Sequence, residues 1–145
     1  MVEYVLDTDT FSLWRDRHPA VSRRVVRVVP DRMVVTVITV DEVLSGWQAA
    51  VRRPLPPPAL AAKYAQLAEA VVAFRRFQIE TFSIAAIAEF ERLRRGRLNV
   101  GANDLRIAAI ALTLNAAVVT RNLRDFGRVP GLSCEDWSAP DPGAA

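Results

Sequence analysis

Short apolar runs rich in Val and Ile alternate along this chain with longer segments whose apolar residues recur on one side only, and the two periods predict different elements. Tyr4 to Leu6 ends the first run and reads as a buried strand, followed by a helix over Thr10 to Arg15. Pro19 suits a helix start and opens a second helix whose Val21, Val25, Val26 and Val29 share roughly one face, ending before Pro30. MVVTVI, from Met33, is β-branched and short, and predicts a second buried strand. A helix from Val40 to Arg53 follows, closed by the Pro-rich linker Pro54 to Pro58. Ala59 to Arg76 then reads as a long helix, Phe77 to Phe82 as a third strand and Ile84 to Arg95 as a helix stopped by Gly96. Arg92, Arg94 and Arg95 fall in its last turn, where cations suit the helix dipole. Asn103 to Asn115 predicts a largely buried helix, Ala116 to Val119 a fourth strand and Leu132 to Cys134 a fifth. Strand and helix alternating in this way predict an α/β fold, a parallel sheet of four to five strands covered by helices on both faces. Ligands of such sheets bind beyond the carboxyl ends of the strands, the edge on which Asp7 and the loop Thr120 to Asp125 fall.

Composition narrows the class. A length of 145 residues with 51% hydrophobic content supports one compact domain with a proper core, expected over 1–137, with Pro140, Pro142 and Gly143 predicting a flexible tail over 138–145. Cys134 is the single cysteine, so an intramolecular disulfide and a Cys-rich metal site are excluded, which fits a reducing cytoplasm. The longest apolar stretches, Met33 to Val40 and Ile107 to Val119, are shorter than the roughly 18 to 20 residues a membrane span needs. Met1 leads straight into a strand-like run with no basic leader, so a cytoplasmic protein without a membrane partner is expected. His18, beside Pro19, reads as a solvated loop residue, which removes Ser-His-Asp and zinc-histidine schemes, and no GxxxxGK[ST] or GxGxxG is present. The net charge of +3 comes almost wholly from arginines, Lys63 being the single lysine. Their placement says more than the total: Arg106 stands beside Asp104, and Arg121 and Arg124 beside Asp125, as a phosphate-rich substrate requires.

The acids themselves carry the chemistry. Asp7 in VLDTDTF, Glu42 in VITVDEVL, Asp104 in GANDLRIAAIAL and Asp125 in VVTRNLRDF each follow a strand or sit at a helix start. Each also fits a local role: Asp7 or Asp9 capping the first helix, Glu42 closing a capping box with Thr39, Asp104 near a helix start, Asp125 in an Asx turn. Taken together, carboxylates from four distant segments that the sheet brings to one edge make a hard-cation site suited to Mg²⁺ or Mn²⁺ and to phosphodiester chemistry.

LDTDTF, TVDE, NDLRIAAIAL, VTRNLRDFGRVPGL and the late EDW, in this order, resemble the PIN-domain ribonucleases, and among them the VapC toxins of bacterial toxin–antitoxin pairs. The resemblance runs from Val5 to Trp137 and implies a three-layer α/β/α domain. It also implies a Mg²⁺- or Mn²⁺-dependent endoribonuclease, a homodimer held inactive by a small VapB-like antitoxin. On this likeness Asp7 and Asp104 are the principal metal ligands, Glu42 and Asp125 complete the acidic set, and Thr120 and Asn122 orient it. Arg106, Arg121 and Arg124 are then the candidate RNA contacts. Asp9 stands where many relatives carry Asn, and the Pro54 to Pro58 stretch is also atypical. Direct attack by water predicts 5′-phosphate and 3′-hydroxyl products.

Two other readings compete. Asp7-Thr8-Asp9-Thr10 after a first strand matches the opening DxDxT of haloacid-dehalogenase-like phosphatases, which also need a placed lysine, here only Lys63, and a late acidic pair, here Glu135-Asp136. A non-catalytic binding module on the same fold requires one of the acids to be missing.

Overall fold

A computed structural model describes residues 1–140; of the expected tail, residues 141–145 lie outside the described residues. Five strands form one sheet: β1 (Tyr4–Leu6), β2 (Met33–Thr36), β3 (Gln78–Glu80), β4 (Ala117–Val119) and β5 (Cys134–Glu135). Their spatial order is β3-β2-β1-β4-β5 and every pairing is parallel. The helices α1 (Thr8–Arg15), α2 (Pro19–Arg27), α3 (Val37–Val51), α4 (Pro57–Ala73), α5 (Ile84–Arg95), α6 (Ala102–Leu114) and α7 (Leu123–Phe126) complete the three-layer α/β/α fold.

The register explains why the strands read as unbroken apolar runs. Val5 lies opposite both Val34 and Val118, and this row packs into a core with Phe90, Ile107, Ile110 and Phe126. One residue further, Leu6 lies opposite Val35 and Val119, and that row points the other way, into Phe11, Val21, Val25, Phe74 and Trp137. A sheet buried on both faces leaves no position for a polar alternation. Phe11 stacks on Phe74 with ring centroids 4.4 Å apart, locking α1 to the chain after α4.

Where element bounds depart from the periodicity, a capping side chain is the reason. β2 stops at Thr36 because its hydroxyl accepts the Thr39 N–H at 3.3 Å, so Val37 and Ile38 open α3 and do not extend the strand. The capping box expected at Thr39 and Glu42 is therefore replaced by a cap three residues earlier. Asp7 starts α1 at Thr8, two residues before the predicted start. His18 is not a free loop residue: its Nδ1 accepts the Val21 N–H at 3.3 Å and caps α2. α2 ends at Arg27 and buries only Val21 and Val25, leaving Val26 and Val29 exposed. Pro57 and Pro58 form the first turn of α4, where missing N–H groups cost nothing, so the proline cluster is part linker and part helix start. α6 closes on Asn115 in the left-handed region at φ 53°.

Candidate functional site

β1 and β4 are the adjacent strands between which the chain order reverses, and the crevice beyond their carboxyl ends is where open parallel sheets bind ligands. Asp7, the first residue after β1, is fixed there twice over. Its backbone N–H donates to the Val119 carbonyl at 3.1 Å, and its carboxylate accepts the Thr10 N–H at 2.8 Å. Thr10 clips the same turn to β4 by donating its hydroxyl to Val119 O at 3.0 Å. Asp7 thus caps α1 and also faces an open cleft of about 490 Å³, lined besides by Thr8, Asp9, Glu42, Asp104, Arg121 and Asn122.

Glu42 reaches this cleft one turn into α3, held by a residue that the sequence did not single out. The Thr8 hydroxyl donates to Glu42 Oε1 at 2.7 Å and lies 2.9 Å from the hydroxyl of the buried Thr39. A hydroxyl has one proton, so with Thr8 donating to Glu42, Thr39 is the donor to Thr8. Asp104 comes from the first turn of α6, and among the described residues its carboxylate takes no side-chain hydrogen bond or ion pair. Asp125 is steered by Asn122: the Asn122 amide donates to Asp125 Oδ2 at 2.9 Å while its Oδ1 accepts the Asp125 N–H at 3.3 Å. Thr120, fully buried, accepts the Asn122 N–H at 2.9 Å and so shapes the turn that carries both Asn122 and Asp125. Arg128, also missed from sequence, binds Asp125 Oδ1 at 3.2 Å and the Asn99 carbonyl at 2.8 Å, tying the loop before α6 to α7.

The candidate arginines separate. Arg121 lines the cleft and pairs with Asp9. Arg124 is largely exposed with its Nε 3.3 Å from Asp125. Arg106 stands apart from the cleft: it donates to Asn103 at 2.7 Å and its guanidinium lies 4.9 Å from the centre of the Phe90 ring. Two residues along a helix turn a side chain about 200° away, so adjacency to Asp104 in sequence did not mean adjacency in space.

Asp104 shows what the assembly does electrically. Burial first, and then the charges of Asp7, Glu42 and Asp125, push its carboxyl up to about 6. Asp7 is also raised, by burial, against hydrogen bonds from Thr120 and Thr10 that favour its charged form. Asp125 is held below the ordinary carboxylate range by the Asn122 amide and by Arg124 and Arg128. Uncompensated negative charge with oxygen donors alone is the donor chemistry of a hard divalent cation. Among the described residues no three acidic, His or Cys side chains stand close enough together to hold a metal ion as a ready-made group.

A pH dependence follows with a definite sign. Groups with raised pKa take up protons in the folded state before the unfolded one, so their contribution to stability is present at low pH and is lost as pH rises through about 6 for Asp104. Asp125 is lowered and loses its contribution only at more acidic pH, below this window. Chelator-treated protein is therefore expected to melt at higher temperature at pH 5.5 than at pH 7.5, and the gain in melting temperature on adding Mn²⁺ is expected to shrink over the same interval. Melting curves at the two pH values, with and without ion, check both signs.

The family model described as PIN domain matches residues 4–132, from β1 to just before β5. The chain belongs to the PIN-domain family. It is 31% identical to the tRNA(fMet)-specific endonuclease VapC of Salmonella typhimurium, over 94% of this chain and 99% of that protein. It is 29% identical to Ribonuclease VapC1 of Haemophilus influenzae strain R2866, over 93% of this chain and 98% of the relative. The crystal structure of DNA-bound VapBC from Salmonella typhimurium superposes with a TM-score of 0.75 at 27% identity, covering 94% of this chain and 99% of the other. PIN-domain ribonucleases are generally dependent on a divalent metal. The phosphatase reading is not favoured: Lys63 lies on α4 with its Nζ 5.7 Å from the Trp47 ring centre, away from the cleft, and Asp9 is spent on Arg121. A non-catalytic module is not favoured either, because no acid is missing. No helix among the described residues is long and apolar enough to cross a membrane.

Proposed function

We propose that this chain is the toxin of a toxin–antitoxin pair, an endoribonuclease dependent on Mg²⁺ or Mn²⁺ and restrained by a VapB-like antitoxin. The observation that carries the reading is Asp104, which lines the cleft with Asp7 and Glu42 and feels their charge and that of Asp125, in a chain of this family. In this reading 1–137 is a single nuclease domain, Asp7 and Asp104 are the principal ligands, and Glu42 and Asp125 complete the set. A divalent cation there supplies Lewis-acid polarisation of the phosphate and a more acidic attacking water. Thr8 and Thr39 hold Glu42, Thr120 and Asn122 hold the turn of Asp125, and Arg121 offers positive charge at the cleft to the RNA strand. Its setting is the cytoplasm, where the free Cys134 thiol stays reduced. The test is incubation of purified protein with labelled RNA and Mg²⁺, with mapping of the product ends: 5′-phosphate and 3′-hydroxyl ends are expected, and 2′,3′-cyclic phosphate ends would refute a metal-activated water.

Antitoxin binding has a candidate place. A groove of about 430 Å³ between α1 and α3, lined by Ser12, Arg15, Val43 and Trp47, joins the cleft through Thr8 and Glu42. α4 packs alongside α3 and carries the exposed Tyr64, with Leu60 and Leu67 half-buried, none of them lining the groove itself. Such a groove suits the apolar face of an amphipathic partner segment. Trp47→Ala with Tyr64→Ala is expected to weaken antitoxin capture at least about tenfold, roughly 1.4 kcal/mol, with the circular dichroism spectrum retained. A pull-down in which the folded double variant binds as well as the parent excludes this placement.

A further inference from the structure

Asp9 and Arg121 meet across the mouth of the cleft, and nothing in the mechanism above uses their pairing. Arg121 donates through Nε to Asp9 Oδ2 at 2.7 Å and through a terminal nitrogen to Oδ1 at 2.8 Å, the parallel two-bond geometry of a guanidinium held by one edge. The bond joins the first turn of α1 to the residue after the buried Thr120, positions far apart in the chain. Both side chains line the cleft with Asp7, Glu42 and Asp104. At 50% and 47% exposure the pair adds little to stability, so folding does not account for its order. Arg124, by contrast, is 80% exposed and is held by a single longer contact.

A guanidinium has five N–H donors. Asp9 engages two of them, which leaves three for another oxyanion while the side chain's rotamer freedom has already been given up. That loss otherwise weakens binding of a flexible arginine. We propose that Asp9 is a positioning residue that presents the free donors of Arg121 to an RNA phosphate flanking the scissile bond, an inference that rests on the ribonuclease reading. An amide at position 9 has one acceptor oxygen and cannot hold the two donors in the parallel two-oxygen pair.

The sign of one substitution separates this from simple charge counting. Removing an acid beside an RNA cleft strengthens RNA binding if only net charge matters, whereas loss of positioning weakens it. Binding of a labelled RNA oligonucleotide that the wild type cleaves is measured in EDTA by fluorescence anisotropy, followed by steady-state cleavage in Mg²⁺ and Mn²⁺ titration. Asp9→Asn and Arg121→Ala are each expected to raise Kd and KM about five- to tenfold, with kcat changed less than about twofold and Mn²⁺ affinity unchanged. The double variant is expected to be no worse than Arg121→Ala alone, and Asp9→Glu to recover part of the loss. Arg121→Ala should also reduce the slope of log K against log salt by about 0.7. Tighter RNA binding by Asp9→Asn, multiplicative losses in the double variant, or a fall in Mn²⁺ affinity on changing Asp9 overturns the proposal; the last makes Asp9 a ligand. A wild type that neither binds nor cleaves RNA sinks the ribonuclease reading itself, while wild-type binding with unaffected variants sinks only the positioning role.

Discussion

Asp104→Asn is expected to lower kcat at least about 100-fold, equivalent to roughly 2.7 kcal/mol of transition-state stabilisation, while leaving the fold intact. The amide keeps the shape of the carboxylate and loses its charge, and among the described residues the Asp104 side chain has no hydrogen-bond partner that the change would strand. The metal-free variant is also expected to be more stable than the parent at pH 7.5. At that pH the parent ionises Asp104 against Asp7, Glu42 and Asp125, at a cost on the order of 1 kcal/mol once solvent screening of a half-exposed group is discounted. Lower activity with higher metal-free stability is the signature of a carboxylate kept for chemistry. RNA cleavage with circular dichroism and melting curves measures both halves, and full activity in the variant removes Asp104 from the reaction.

The second large effect concerns the ion. Chelation with EDTA is expected to abolish cleavage, and excess Mg²⁺ or Mn²⁺ to restore it. An ion at about 100 times its dissociation constant adds roughly 2.7 kcal/mol of stability by mass action, or a rise in melting temperature of roughly 5–10 °C for a domain of this size. Ca²⁺ is expected to stabilise without supporting turnover, since the acids accept any hard cation but the reaction needs a small, strongly polarising one. Cleavage that survives EDTA contradicts this.

The sequence exposed the acids more readily than their supports. Asp7, Glu42, Asp104 and Asp125 stand out because each sits where a strand ends or a helix begins, and a parallel sheet gathers such positions at one edge. Thr8 and Arg128 carry no comparable signal, and Thr39 reads from sequence only as a capping residue, because the bond from Thr8 to Glu42 and Thr39 joins positions over thirty residues apart. Asp9 and Arg121 each stand beside an acidic motif in sequence, but no local pattern pairs residues from the first helix and the fourth strand's end. Arg106 is the converse case, a neighbour of Asp104 in sequence whose guanidinium the structure places over Phe90.

The fold divides in a similar way. The α5 bounds follow from Ser83, Ile84 and the arginines before Gly96, all local signals. The apolar run extends the second strand two residues too far, because Val37 and Ile38 continue it and hydrophobicity alone cannot separate a buried strand from a buried helix start. Only the Thr36 cap, visible once the Thr39 N–H is placed, marks the change.

The central claim is that these carboxylates form one divalent-cation site, and calorimetric titration of Mn²⁺ into chelator-stripped wild-type and Asp104→Asn protein at pH 7.5 tests it most directly. The expected result is saturable binding to the wild type and binding at least about tenfold weaker, roughly 1.4 kcal/mol, to the variant. Equal affinity in the two proteins, or no binding to either, contradicts the account.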